Sequence, residues 1–231
     1  MSNSPIASMF DRISPSYDRL NHLLSFNIDK IWRRKTAKAV SKFHPKTILD
    51  LATGTADLAI ELAKRHPQAH IVGVDLSEKM LDIGRAKVAK QGLENQIELH
   101  LGDAAHLPFE DNSFDAVTVA FGVRNFEDLE DGLSEIHRVL RPQGHAFILE
   151  FSMPERFPTK QLYRLYFKHI LPKIGKCISK DESAYSYLPK SVEQFPKPKD
   201  FLRKLSIQGL IKGSTRHFFH GIATIYSTIK G

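Results

Sequence analysis

The chain has 231 residues, 42% of them hydrophobic, with a net charge of +7 and a pI near 9.4. Its one cysteine, Cys177, excludes an intramolecular disulfide and a cysteine-built metal site. Met1–Ser8 lacks the basic and apolar regions of a signal peptide, and no apolar run is long enough to span a bilayer, so a cytoplasmic protein is expected.

The length fits one large α/β domain or two small ones. No Ser/Gly-rich linker and no internal repeat divides the chain. A single domain over 1–231 is therefore expected, with a helical cap at 1–45 and a second, inserted helical cap at 153–200. Trp32, Ala37 and Val40 alternate with Arg33, Arg34, Lys35 and Lys38, a helical pattern that stops at His44–Pro45. Thr47–Leu51 reads as a strand, followed by a helix to about Arg65 and a break at His66–Pro67. His70–Leu76 reads as the second strand. Ser77 then caps a helix that Gly92 ends.

Ile97–Leu101 and Phe114–Val119 are the third and fourth strands. Leu129–Leu140 is a helix stopped before Pro142 and Gly144, and His145–Phe151 is the fifth strand. Such alternation predicts a parallel sheet with helices on both faces and ligands at the strand carboxyl ends. Beyond Ser152 the pattern changes. Lys160, Arg164 and Lys168 form a basic stripe opposite Leu162, Leu165, Tyr166 and Ile170, the signature of an amphipathic helix. Basic residues concentrate at Lys30–Lys42 and Arg156–Lys180, outside the predicted sheet core. The runs Ser214–Phe218 and Ile222–Ile229, with His220–Gly221 between them, predict an antiparallel hairpin at the sheet edge.

The chemistry is concentrated after the first strand, in Asp50–Leu51–Ala52–Thr53–Gly54–Thr55–Ala56–Asp57. Gly54 lets the chain turn sharply and lets a ligand approach the main chain. Asp75 ends the second strand about 20 residues on, where an acid accepts from ribose hydroxyls. Dinucleotide sites use three glycines to seat a pyrophosphate on the helix end. Here only Gly54 remains, and Asp50 and Asp57 flank the turn, where they repel a diphosphate and favour a cation. A ribose-bearing cation points to S-adenosylmethionine. The alternative is a strand–helix turn with Asp57 as a cap and no ligand.

The chain resembles the quinone-biosynthesis C-methyltransferases, which methylate demethylmenaquinol or the polyprenyl benzoquinol precursor of ubiquinone. The resemblance spans nearly the whole sequence. It rests on Phe10–Asp11, Tyr17–Ser25, Ile31–Arg33, Asp50–Leu58, Asp75–Ser77, Phe121–Asn125, Arg138–Gly144, Leu149–Ser152 and Tyr187–Val192. Departures are Asp29 in place of a histidine, Thr53–Ala56 in place of a Gly-Gly-Thr-Gly turn, Gln143 and His145 near the late proline, and Ala120 in place of a serine. The resemblance implies a class I S-adenosylmethionine-dependent methyltransferase fold. That fold is Rossmann-like, with a mostly parallel seven-stranded sheet and an antiparallel carboxyl-terminal hairpin.

The resemblance further implies cofactor contacts at Thr55, Asp75, Asp103 and Ala104, and Ala120 is expected to line the same pocket through its backbone. A carboxylate at Asp103 suits the adenine amino group, or else caps a helix. Methylating a ring carbon needs a quinol placed in line with the methyl group and a way to stabilise or remove the phenolic proton. Arg124 is the first candidate for the quinol side, against a salt bridge to Glu127 or Asp128; it stabilises a phenolate but is a poor base. Asn125 suits a ring oxygen, and Tyr17 and Asp18 are candidates to complete the site from the cap. His22 and His217 are loose histidines.

No metal is expected, because the sequence offers no compact His/Asp cluster. The expected partners are a prenylated quinol, a transient membrane surface met at its inner face, and a second copy of the chain. Nucleic acid is not expected: Ala120–Val123 stands where base aminomethylases carry an Asn/Asp-Pro-Pro-aromatic segment, and Cys177 lacks a Pro-Cys context. A nucleic-acid methyltransferase and a non-catalytic assembly partner are the rival classes.

Overall fold

The computed structural model describes residues 4–154, 157–165 and 182–231. Of the residues named above, Arg156, Tyr166, Lys168, Ile170, Cys177 and Lys180 lie outside the described residues, as does the side chain of Arg164. Two helices lead the chain, α1 (Pro5–Leu24) and α2 (Ile28–Val40). Phe26 and Asn27 between them both take positive φ, at 52° and 59°, so the predicted helical stretch is broken by an elbow without glycine or proline.

The alternating core follows: β1 (Thr47–Leu51), α3 (Asp57–Arg65), β2 (His70–Asp75), α4 (Glu78–Lys90), β3 (Ile97–Leu101), β4 (Phe114–Ala120), α5 (Leu129–Val139) and β5 (Leu140–Phe151). Ser77 caps α4, accepting from the Met80 amide, as its position suggests. Strand β5 starts five residues earlier than the sequence indicates. Its register on β4 jumps from Phe114↔Leu140 to Ala116↔His145, so 141–144 bulge. A bulge tolerates Pro142, which has no N–H, and Gln143 at φ 63°. The chain ends with α6 (Thr159–Leu165), α7 (Glu182–Gln194), α8 (Pro198–Ile207), β6 (Leu210–Phe218) and β7 (Ala223–Lys230).

The seven strands are ordered β3-β2-β1-β4-β5-β7-β6. All are parallel except β7, which pairs antiparallel with both β5 and β6. Side chains alternate across the sheet. Leu49, Leu51, Val72, Val74, Val117 and Val119 pack under Leu133, Ile136, Phe201 and Leu205 of α5 and α8. Ile48, Ile71, Ala116 and Phe147 pack under α2, α3 and α4 through Ala37, Val40, Leu62 and Val88. Strand order reverses between β1 and β4, which opens a crevice at their carboxyl ends.

Candidate active site

A cleft sits in that crevice, lined by the strand ends and by the first helix. Its floor is the carboxyl edge of the sheet: Ala52 and Gly54 after β1, Asp75 ending β2, Gly102–Ala104 after β3, and Ala120–Gly122 at β4. Helix α1 supplies the roof through Ile6, Ala7, Phe10 and Tyr17. At Gly54 φ is +57°, and a Cβ built there meets nothing within 4 Å, so the main chain is open to a ligand. Gly122 answers a different need: a Cβ there would come within 2.3 Å of the Ala52 Cβ, so the turns after β1 and β4 close only around glycine.

Asp75 accepts from the Gly54 amide at 2.8 Å and the Ser77 amide at 2.9 Å. A carboxylate offers about four lone-pair sites, more than these amides occupy. Burial pushes the Asp75 carboxyl up to about 6, against the pull of those amides. Asp103 accepts from the Ala105 amide at 3.0 Å. An open glycine, a strand-end carboxylate and a second acid one strand over fit a ribose, an adenine and a positive charge.

The turn's other polar residues are placed differently from the expectation. Asp50 shares the sheet face of Ile48 and is buried behind the turn, outside the cleft lining. It accepts from Thr53 Oγ1 at 2.7 Å and Thr118 Oγ1 at 2.6 Å, so it braces the loop. Burial lifts its carboxyl to about 6 as well. Thr55 also turns from the cleft: its hydroxyl donates to Asp18 at 2.6 Å and accepts from Lys87 at 3.0 Å. Asp18 is thereby engaged with Thr55 and Lys87 rather than the quinol side.

Of the residues expected to meet the quinol, Asn125 and Tyr17 line the cleft and Arg124 does not. The Arg124 guanidinium is buried against Glu150, 2.8 Å away, and donates to the Phe121 carbonyl. Its partner is therefore neither Glu127 nor Asp128. Glu150 is fully buried, and burial raises its carboxyl although Arg124 opposes this. Arg124 lies over the Phe151 ring, and Phe151 stacks on the cleft-lining Phe121 at 4.4 Å. Tyr17 is half-buried, and burial pushes its phenol up despite Arg33 and Arg124 nearby.

Sequence reasoning missed how α1 is held. Ser4, Asp11 and Asp18 stand seven residues apart, at the start of α1 and along one stripe of it. Ser4 Oγ donates to Glu127 at 2.5 Å, Ser77 Oγ donates to Asp11 at 2.5 Å, and Asp18 takes Thr55 and Lys87. The heptad spacing was visible, but its partners were not. The fold also gathers His22, Asp29 and Asp57, whose ligand atoms lie within 4.8 Å, a cluster the sequence did not reveal. Arg33 pairs with Asp29, and Lys87 with Asp57. Burial works against the Asp29 carboxylate, but Arg33, Ser25 and His22 outweigh it and hold its pKa below the usual range. The group is an ion-pair network joining α1, α2 and the turn.

This sheet order, mostly parallel with an antiparallel β7 and with a cleft at its switch point, is the class I methyltransferase fold. A solved S-adenosylmethionine-dependent methyltransferase from Aquifex aeolicus superposes with a TM-score of 0.66 at 17% identity, over 93% of this chain and 98% of that one. The [4+2]-cyclase SpnF superposes at 0.69 with 15% identity, over 97% and 94%, so the fold alone leaves the reaction open. The chain belongs to the ubiE/COQ5 methyltransferase family, whose model matches residues 1–230. It is 46% identical to the demethylmenaquinone methyltransferase of Bacteroides fragilis, over 97% of this chain and 92% of that protein. The Porphyromonas gingivalis enzyme of that name is 42% identical over 99% and 94%. A Geobacter sulfurreducens protein named ubiquinone/menaquinone biosynthesis C-methyltransferase UbiE is 44% identical over 98% and 88%.

Proposed function

We propose that the chain methylates a ring carbon of demethylmenaquinol with S-adenosylmethionine as donor, giving menaquinol. The observation that carries this reading is the near full-length identity to enzymes named for that reaction, joined to a cleft with Asp75 on one wall and Asn125 on another. The benzoquinol precursor of ubiquinone is the second substrate reading, favoured by the relative named for both pathways.

S-adenosylmethionine supplies an electrophilic methyl group when bound. Asp75 would hold the ribose hydroxyls, Asp103 and the Ala104 amide the adenine, and Gly54 and Ala120 the approach along the main chain. Asp50 and Thr55 serve the site by fixing the turn. Asn125 and Tyr17 would bind the quinol oxygens. Charge gathers on a ring oxygen as the ring carbon attacks, and hydrogen bonds from a water-poor cleft strengthen at that moment. Arg124 acts from behind, holding the Val123–Asn125 turn and placing positive charge near the tyrosines. Over the reaction the ring carbon gains the methyl and one proton is released.

The chain would work as one catalytic unit, 1–231, with helical caps at 1–45 and 153–200. Its lipid-borne substrate would be met at the inner face of the membrane. None of the described helices is long and apolar enough to cross a bilayer, so this docking would be peripheral. Incubating the protein with labelled cofactor and each reduced quinone precursor, with mass analysis of the products, tests the assignment. Methylation of the naphthoquinol is expected; label transfer to neither quinol would sink the reading.

A further inference from the structure

Helix α7 sends one side chain to the quinol wall of the cleft. The Tyr187 hydroxyl donates to Asn125 Oδ1 at 3.0 Å, across 62 residues of sequence. Asn125 lines the cleft and Tyr187 does not. The Tyr187 ring packs with Phe10 and Tyr17 against Met9, Ile13 and Met80, so its position is set by contacts that do not involve Asn125. Helix α7 also rests on the Val123–Asn125 turn that carries the amide.

We propose that Tyr187 is a positioning residue: it holds the Asn125 carbonyl so that the amide N–H2 edge faces the cleft and donates to a ring oxygen of the bound quinol. This deepens, and rests on, the quinol reading above. A side-chain amide has one acceptor end and one donor end. A donor that captures the carbonyl leaves the two N–H groups for the ligand, and a quinol oxygen gaining negative charge needs donors. Burial pushes the Tyr187 phenol up, so it stays protonated and remains a donor at any working pH. The same contact couples α7 to the substrate wall, so a cap helix takes part in selecting an oxygenated ring.

Tyr187→Phe removes the hydroxyl and keeps the ring. Turnover on whichever quinol the wild type methylates should fall about tenfold, the worth of one hydrogen bond. Affinity for S-adenosylhomocysteine, read by calorimetry, should be unchanged. In an Asn125→Leu background the same substitution should cost less than twofold, because its effect runs through the amide. Unchanged turnover in Tyr187→Phe, or the full tenfold loss persisting beside Asn125→Leu, would overturn the positioning role alone. A wild type inactive on both quinols would overturn the substrate reading and this proposal together.

Discussion

Asp75 stands between two amides and a cleft, and its protonation should govern cofactor affinity. Its pKa of about 6, raised from an ordinary 3.8, means the folded protein keeps a proton that the unfolded chain gives up. Without ligand, stability is therefore highest below pH 4 as far as this group is concerned, and is lost as pH rises from 3.8 towards 6. A cationic ligand with ribose donors prefers the charged carboxylate, so affinity should run the other way. It should be constant above pH 6 and fall by about tenfold per unit below it. Calorimetric titration from pH 5 to 8 checks this, and Asp75→Ala should bind weakly at every pH while staying folded. An unchanged affinity in that variant would remove the ribose assignment. Gly54→Ala separates a ligand role from a structural one. Its left-handed φ makes alanine cost about 1–2 kcal/mol of stability, but the added methyl meets no protein atom. The variant should fold, melt a few degrees lower, and lose most cofactor affinity; full affinity would mean that no ligand passes over this turn. At this scale the sequence placed Gly54, Asp75, Asp103 and Asn125 around one cleft because each stands at, or within five residues of, a strand's carboxyl end. It misplaced Asp50, Thr55 and Arg124 because strand alternation and partners as distant as Thr118, Lys87 and Glu150 decide where those side chains go.

Helix α1 closes the cleft and is tied down by its polar stripe. Asp11 and Asp18 reach the loops after β2 and β1, while Ala7, Phe10 and Tyr17 face the cavity. A cofactor bound beneath that roof would leave faster if the helix lifted. Asp11→Ala combined with Asp18→Ala removes hydrogen bonds worth about 1 kcal/mol each after allowance for partial exposure. Release of S-adenosylhomocysteine, followed by stopped flow, should accelerate about tenfold. Asp11→Asn keeps an acceptor for the Ser77 hydroxyl and should restore much of the wild-type rate beside an intact Asp18. Equal release rates in all variants would mean that α1 does not gate the cleft. Most elements were legible to within a residue or two, since glycine, proline or a capping serine bounds each apolar run; Thr47–Leu51 and Ile97–Leu101 match to the residue. The elbow at Phe26–Asn27 was not, because two residues without a turn signature take left-handed backbone there. The early start of β5 was hidden by Pro142, which argues against a strand until the bulge is seen.

For the whole molecule, the open matter is how a chain with net charge +7 meets a substrate that lives in lipid. In α6 Tyr163 is buried at 6% exposure, while Leu162 and Leu165, on the expected apolar face, are 62% and 55% exposed, and Phe157, just before the helix, is 80% exposed. Exposed apolar side chains next to Lys160, on a protein of this charge, suit an anionic bilayer surface better than water. Burying each large apolar side chain contributes about 1.5–3 kcal/mol when complete. A lysine near an anionic leaflet adds about 1 kcal/mol. Converting Phe157, Leu162 and Leu165 to serine and Lys160 to glutamate should therefore weaken binding to phosphatidylglycerol-containing vesicles by well over tenfold. The loss from the lysine should disappear at high salt and the loss from the apolar residues should not. Turnover on a short-chain, water-soluble quinol should be unaffected, because none of these residues lines the cleft. Vesicle sedimentation and the soluble assay read the two arms separately. Unchanged sedimentation would end the docking role, a parallel loss of soluble activity would show that α6 supports the fold instead, and a shift from dimer to monomer in ultracentrifugation would assign the face to a second copy of the chain.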